Sequence, residues 1–430
     1  MRLRGLIIGC LAVLAGCDAS QRTRGGGDLG ASGDLAQPCY GVACQKVQCR
    51  EQPSTSLSGT VYAPNGTLPL YNVAVFIPGA PLKELPSGAR CDRCGTTLSG
   101  QPIVTALSDE HGHFRLEDVP AGSNVPLVVQ LGKWRRVVTL PELAPCQDNP
   151  LTDPDLTRLP KNRDEGDMPR IAVTLGQCDQ ISCMLPKVGI DPVEFGVAGQ
   201  DRAVTFYSTP SQKALTGVTS ATQLWNNAAS LAAYDMVILS CECDEAPASK
   251  NATSYAAMAD YLAMGGRIFS TDFQYTWYKF SPDAQLRSIA TIPGGAPGGA
   301  SPILLQDAFP KGKALAQWMK FTGLSAQYGK IDANEVFDNF TSADPTKTQT
   351  WATSGGHPRF LTINTPVGLP PDQQCGKATH LDAHINDTDT IDSTFPGGCT
   401  SSLASTEGAF AFFFFDLASC IQDESAPPTL

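Results

Sequence analysis

The stretch Tyr234 to Pro247, YDMVILSCECDEAP, carries an apolar run from Met236 to Leu239 straight into two thiols, Cys241 and Cys243. Cysteines at the end of a buried strand serve as nucleophiles, metal ligands or disulfide partners. Three other groupings invite similar questions. In THLDAHI, strand alternation puts His380, Asp382 and His384 on one face and Leu381, Ala383 and Ile385 on the other. That polar face is a metal candidate. One strand offers at most a pair of well-placed ligands, so the preferred reading is the polar side of a half-covered strand. Ser270 and Asp272 in RIFSTDFQ, with His384, form a hydrolytic candidate that lacks the glycines of a G-x-S-x-G elbow. Trp134-Arg135-Arg136 would suit carbohydrate stacking or anion binding if the indole were exposed, although aromatic side chains usually bury much of their area.

The chain's first residues bear on the cysteines. Arg2 and Arg4 precede a short apolar run, Leu6 to Val13, and small residues at Ala15 and Gly16 lead to Cys17. A basic start, a short apolar core and small residues at the cut describe a secretory signal. The run is too short to span a bilayer. LAGC resembles a bacterial lipobox, which implies cleavage before Cys17 and lipidation of that cysteine. Removing residues 1–16 takes two arginines and no acid, so the formal charge moves from −11 to −13. No basic cluster follows, which argues against nucleic acid as a partner. Residues 17–56, including RGGGDLGASGDLAQP, read as a flexible tether.

An exported chain meets an oxidising compartment, where disulfides persist. Fifteen cysteines less Cys10 and Cys17 leave an odd number, so at least one thiol stays free or pairs between chains. Cys91, Cys94, Cys146, Cys178, Cys183, Cys241, Cys243, Cys375, Cys399 and Cys420 are the disulfide candidates. Cys91-x-x-Cys94 has no second ligand pair at zinc spacing and stands in a Gly- and Ser-rich loop, which favours structural disulfide chemistry.

Two folded units position these groups. Residues 57–145 alternate in short strands separated by turns at APNGT, SDEHG and PAGSN, the pattern of a small antiparallel β sandwich. Here Asp109 starts a turn, Gly112 relaxes it and Phe114 returns as a core side chain; His111 and His113 read as solvated turn residues. The stretch ALSDEHGHFRLEDVPAG, with Asp109, Gly112, Phe114, Val119, Pro120 and Gly122, resembles the carboxypeptidase regulatory-like domain. That resemblance implies a prealbumin-like accessory or binding module without the peptidase zinc site.

Residues 146–168 read as a Pro- and Asp-rich connector. From 169 to 421 strands and helices alternate: RIAVTLG, RAVTFYST, DMVILS and RIFSTDF separated by SATQLWNNAASLAAY and SYAAMADYLAMGG. This alternation predicts an α/β unit with a parallel sheet, ligands belonging at the carboxyl ends of its strands. GAFAFFFFDLASC reads as a buried closing segment, and residues 422–430 as a tail. YDMVILS followed by a helix and MGGRIFSTD resembles the class I glutamine amidotransferase-like, flavodoxin-like layout. Relatives of that family carry a catalytic cysteine at the position of Ser270 to Phe273, where this chain has none. Cys241 and Cys243 stand one strand too early and are expected as cross-links between neighbouring strand ends, to Cys178 and Cys183. PLVVQLGKWRRVV, CQDNPL, LTRLPKN and FFFFDLASC are similar to a group of bacterial envelope lipoproteins. The expected protein is therefore lipid-anchored in the cell envelope, without a cofactor. It would be non-enzymatic and bind a glycan, a peptide or a protein partner; the rival is a hydrolase acting at the strand ends.

Overall fold

The computed structural model describes residues 39, 41–50, 53–212, 215–295, 298–385, 389–392 and 395–430. The signal-like segment, Cys17 and most of the expected tether lie outside them.

The alternating N-terminal strands form two sheets. One contains β1 (Ser56–Thr60) between β4 (His113–Glu117) and β7 (Asp148–Leu151); the other has the order β3 (Pro102–Leu107), β2 (Ala74–Pro78), β5 (Pro126–Leu131), β6 (Trp134–Thr139). Their inward residues, among them Leu57, Val75, Ile77, Phe114, Leu116, Leu127 and Val129, share one core. The β3–β4 turn is built as its residues dictate. Asp109 Oδ1 accepts the backbone N–H groups of His111 and His113 at 2.8 and 2.9 Å. Gly112 takes φ +78°, where a Cβ would lie 2.8 Å from the Val61 carbonyl oxygen. Phe114 returns to the core with 4% exposure.

Two features differ from a self-contained antiparallel sandwich. Strand β7 comes from the stretch expected as a connector and pairs parallel to β1. The same stretch is held by Arg158, which donates to Glu165 at 2.6 and 2.8 Å.

The second large sheet contains five consecutive parallel strands, in the order β9 (Val204–Ser208), β8 (Ile171–Leu175), β10 (Met236–Leu239), β11 (Arg267–Thr271), β15 (Gly376–Leu381). Every residue of β8, β10, β11 and β15 is buried, as expected where both faces of a parallel sheet are covered. The sheet then continues antiparallel through β14 (His357–Thr365), β13 (Gln349–Ser354) and β12 (Ile303–Leu305). The expected parallel sheet is thus corrected to a mixed one. Helices are few and mostly short. SATQLWNNAASLAAY, expected as one helix, is two five-residue helices, with Asn227 capping the second through its side chain. The longer ones are α1 (Ala252–Ala263), α2 (Pro310–Phe321) and α3 (Ser405–Ala418).

Helix α3 is the expected closing segment. It is buried from Thr406 to Ala418 and packs against both sheet systems. Phe414 and Phe415 meet Trp134 of β6 with ring centroids 6.3 and 6.2 Å apart, and Phe412 meets Trp318 of α2 at 5.4 Å. Trp318 Nε1 donates to the Pro69 carbonyl at 2.8 Å, so residues 40–430 form one compact unit with a continuous core.

Disulfides reinforce that unit: Cys49–Cys146, Cys91–Cys375, Cys94–Cys420, Cys178–Cys243 and Cys183–Cys399, with Cys39 and Cys44 also disulfide-bonded. Cys91 and Cys94 therefore each reach a distant strand or the chain's end. Their loop comes so near α1 that a Cβ on Gly265, at φ +109°, would lie 2.1 Å from the Arg90 carbonyl oxygen. The expected pair of cross-links between Cys178/Cys183 and Cys241/Cys243 is corrected to one, because Cys183 pairs with Cys399 and Cys241 stays a thiol. Peptide mapping without reduction is expected to recover Cys178 linked to Cys243 and Cys183 linked to Cys399. A Cys178–Cys241 peptide would contradict this pairing.

Candidate thiol–histidine–carboxylate centre

Three parallel strands end side by side, and each delivers one group. Strand β10 runs through Ser240 to Cys241. The loop after β8 approaches so closely that a Cβ on Gly176 would lie 1.9 Å from the Cys241 carbonyl oxygen. Strand β11 ends at Thr271, and Asp272 turns the chain at φ +38° into a 3₁₀ turn (Asp272–Tyr275) and a short helix (Thr276–Lys279). Strand β15 ends at Leu381, and the chain goes on to His384 alongside residues 335–339, which pair with it through Val336 and Ala383.

The side chains converge on the Asp272 carboxylate. Its Oδ1 accepts from Asn339 Nδ2 at 2.7 Å. Its Oδ2 accepts from the Cys241 thiol at 3.2 Å and from His384 Nε2 at 3.1 Å. His384 Nδ1 stands 2.6 Å from Glu335 Oε2, and the Phe337 ring covers the imidazole at 4.4 Å. Cys241 is 0%, Asp272 1% and His384 6% exposed.

Electrostatics follow from that enclosure. Burial pushes the Cys241 thiol up to about 11, against the pull of His384. Burial alone would lower His384, but its contacts with Asp272 and Cys241 and the charge of Asp179 outweigh this and push it up to about 12. Burial raises Asp179, which feels both His384 and Asp272, to about 6. The centre thus sets a buried thiol and an imidazole against the acidic side chains of Asp272 and Glu335.

The sequence candidates distribute differently from their expected groupings. Ser270 does not meet His384: β11 and β15 pair Ser270 with His380, and Ser270 Oγ lies 3.1 Å from His380 Nδ1, 2.8 Å from Tyr278 Oη and 3.0 Å from the Thr379 carbonyl oxygen. Ser270, Asp272 and His384 are corrected from a triad to an Asp272–His384 pair. The metal face of His380, Asp382 and His384 is also corrected, because the strand stops at Leu381. Asp382 turns to Asn339, accepting its backbone N–H at 2.9 Å and its side-chain amide at 2.7 Å, while His384 reaches Asp272. Cys241, assigned to a staple, is the thiol of the centre: one strand early in sequence is the neighbouring strand in space. Glu335 and Asn339 were missed, since they lie on a polar loop with no local motif.

Trp134, Arg135 and Arg136 do not form a binding platform. Trp134 has no exposed surface, and Arg135 is 6% exposed and bonds Asp167 at 2.8 Å and the Lys83 carbonyl at 2.8 Å. Arg136 donates to the Asp155 carbonyl at 2.7 Å. Asp109, His111 and His113 also gather, but on an exposed turn whose geometry uses Asp109.

No family model matches the chain, and no curated protein matches it. Among solved structures, a cytoplasmic protein of Salmonella typhimurium LT2 aligns over 59% of this chain and 100% of its own, at 9% identity and a TM-score of 0.31. A second cytoplasmic protein of Salmonella typhimurium covers 60% of this chain and 100% of its own, at 7% identity and a TM-score of 0.33. A chain of a type II cohesin–X-dockerin complex from Acetivibrio cellulolyticus covers 35% of this chain and 79% of its own, at 15% identity and a TM-score of 0.16. Likeness this low carries no argument about fold or activity.

Proposed function

We propose that this chain is a lipid-anchored, non-enzymatic protein of the cell envelope that binds a peptide, a glycan or a protein partner. In this reading a carboxypeptidase regulatory-like sandwich is fused to an amidotransferase-like, flavodoxin-like unit that has lost its nucleophile. The strand order β9-β8-β10-β11-β15 favours that relationship. One observation carries the non-catalytic part. Asp272 stands at the elbow where a nucleophile would be, and both of its carboxylate oxygens are engaged by Asn339, Cys241 and His384. The neighbouring thiol has no exposed surface. A cleft of about 230 Å3 lined by Lys83, Glu84, Asp92, Thr96, Gln130 and Lys133 offers charged and hydroxyl groups to a small polar portion of a ligand.

The test is direct. The oxidised protein is expected to release no ammonia from glutamine and to take up no fluorophosphonate label. Among the described residues no helix is long and apolar enough to cross a membrane. On that basis Cys17→Ser is expected to shift the protein to the soluble fraction, and persistence in membranes at high salt would overturn the anchor. A hydrolase is the second reading, favoured by the left-handed backbone at Asp272, since strained elbows cluster at active sites. Glutamine or ester hydrolysis abolished by His384→Ala would establish it.

A further inference from the structure

We propose that Cys241, Asp272 and His384 bind a divalent transition ion of the zinc class, through Sγ, Oδ2 and Nε2. These three donor atoms lie within 4.8 Å of one another and come from the ends of three adjacent strands. A four-coordinate ion with ligand bonds of about 2.0–2.3 Å separates its donors by about 3.3–3.6 Å. The Sγ–Oδ2 and Nε2–Oδ2 distances, 3.2 and 3.1 Å, are close to those edges. The mixed sulfur, nitrogen and oxygen set suits zinc better than magnesium or calcium, which take oxygen ligands.

The surroundings are those of a metal's supporting shell. A ligating imidazole usually directs its second nitrogen to a carboxylate or carbonyl, and ligating carboxylates are themselves hydrogen-bonded. His384 Nδ1 points to Glu335, and Asp272 Oδ1 is held by Asn339, which also bonds Asp382. The fourth position falls to a water, since Asp179, 2% exposed, stands outside this donor group. Cysteine chemistry points the same way. Among the described residues Cys241 is the one thiol left unpaired in a disulfide-bonded chain, and it stands beside the histidine and the carboxylate. Binding displaces two protons, the thiol's and that on Nε2, and the resulting thiolate and carboxylate balance the ion's charge. With its three protein donors 0–6% exposed, the site is shut off from substrate and is structural rather than catalytic.

Cobalt(II) tests the proposal on full-length protein with its disulfides intact. One equivalent is expected to bind with a thiolate-to-cobalt charge-transfer band and intense tetrahedral d–d bands, and zinc is expected to displace it. Cys241→Ser is expected to lose the charge-transfer band. Glu335→Gln alters a half-exposed side chain that touches no metal and is the safer variant for folding. It is expected to weaken zinc affinity by about 10–100-fold through the loosened imidazole. No charge-transfer band in the oxidised wild-type protein, a band that survives Cys241→Ser, or unchanged zinc affinity in Glu335→Gln would each overturn the proposal.

Discussion

Asp416→Asn is expected to lower unfolding stability by about 3–5 kcal/mol, the usual cost of leaving a buried charge unpaired. Asp416 interrupts the apolar helix α3 and meets Lys311 of α2 at 2.7 Å and Lys377 of β15 through its other oxygen. Glu424, from the C-terminal residues, pairs with the same two lysines at 2.8 Å each. The side chains of the four residues are 0–6% exposed. Asparagine keeps the volume but leaves two lysines facing one acid. Lys377→Met with Asp416→Leu keeps the Lys311–Glu424 pair and should cost less than the single change, because it removes both charges of one pair. Denaturant unfolding at neutral pH reads both; a single-variant loss below about 1 kcal/mol would rule out an uncompensated charge. The pH dependence has a definite sign. Burial pushes the Asp416 carboxyl up, but Lys311 and Lys377 outweigh burial and hold it at about 2, below its ordinary 3.8. A depressed carboxyl contributes its full stability above the unfolded value and loses it as pH falls from about 3.8 towards 2. Wild-type protein should therefore lose more stability than Asp416→Asn across that acid range.

Trp134→Ala should cost a similar amount, about 3–5 kcal/mol, because it removes a large ring from a packed core. The indole is fully buried against Phe414 and Phe415. Trp134→Phe should be far milder, since the indole N–H has no hydrogen-bond partner among the described residues and phenylalanine leaves none to satisfy. Thermal or denaturant unfolding of the two variants separates a core role from a binding one. A stable Trp134→Ala protein that had lost only affinity for a glycan would restore the platform reading.

These two residues show what the sequence could and could not convey. Trp134 starts strand β6, and nothing local says that its face is covered by Phe414 and Phe415 of a helix far along the chain. The apolar runs of β8 and β10 were legible because a strand buried on both faces is nearly continuously apolar. The antiparallel strand β12 was not. It is three residues long, too short for a pattern to declare itself. The Asp109 turn was legible because its hydrogen bonds are local. The centre at Cys241 was not, since its contacts depend on which strand lies beside which. Cys241, Asp272 and His384 each stand out in the sequence, but Glu335 and Asn339 lie on a loop without a motif, and nothing local pairs the thiol with the carboxylate and the imidazole.

The span of two disulfides has a consequence for how the molecule is made. Cys91 and Cys94 bond to residues 284 and 326 positions later. A chain emerging amino end first into an oxidant presents these two thiols together, long before either partner appears. The sulfurs within reach at that point include each other's and that of Cys49, whose own partner Cys146 follows later, so early oxidation favours pairings that are absent from the finished protein. Reaching the native pairs then requires thiol–disulfide exchange, which takes seconds to hours depending on the oxidant and isomerase. Yield should accordingly follow the supply of shuffling activity more than that of oxidising power. Once Cys420 is joined, a protease that nicks an exposed loop between residues 95 and 374 leaves two pieces that stay covalently tied.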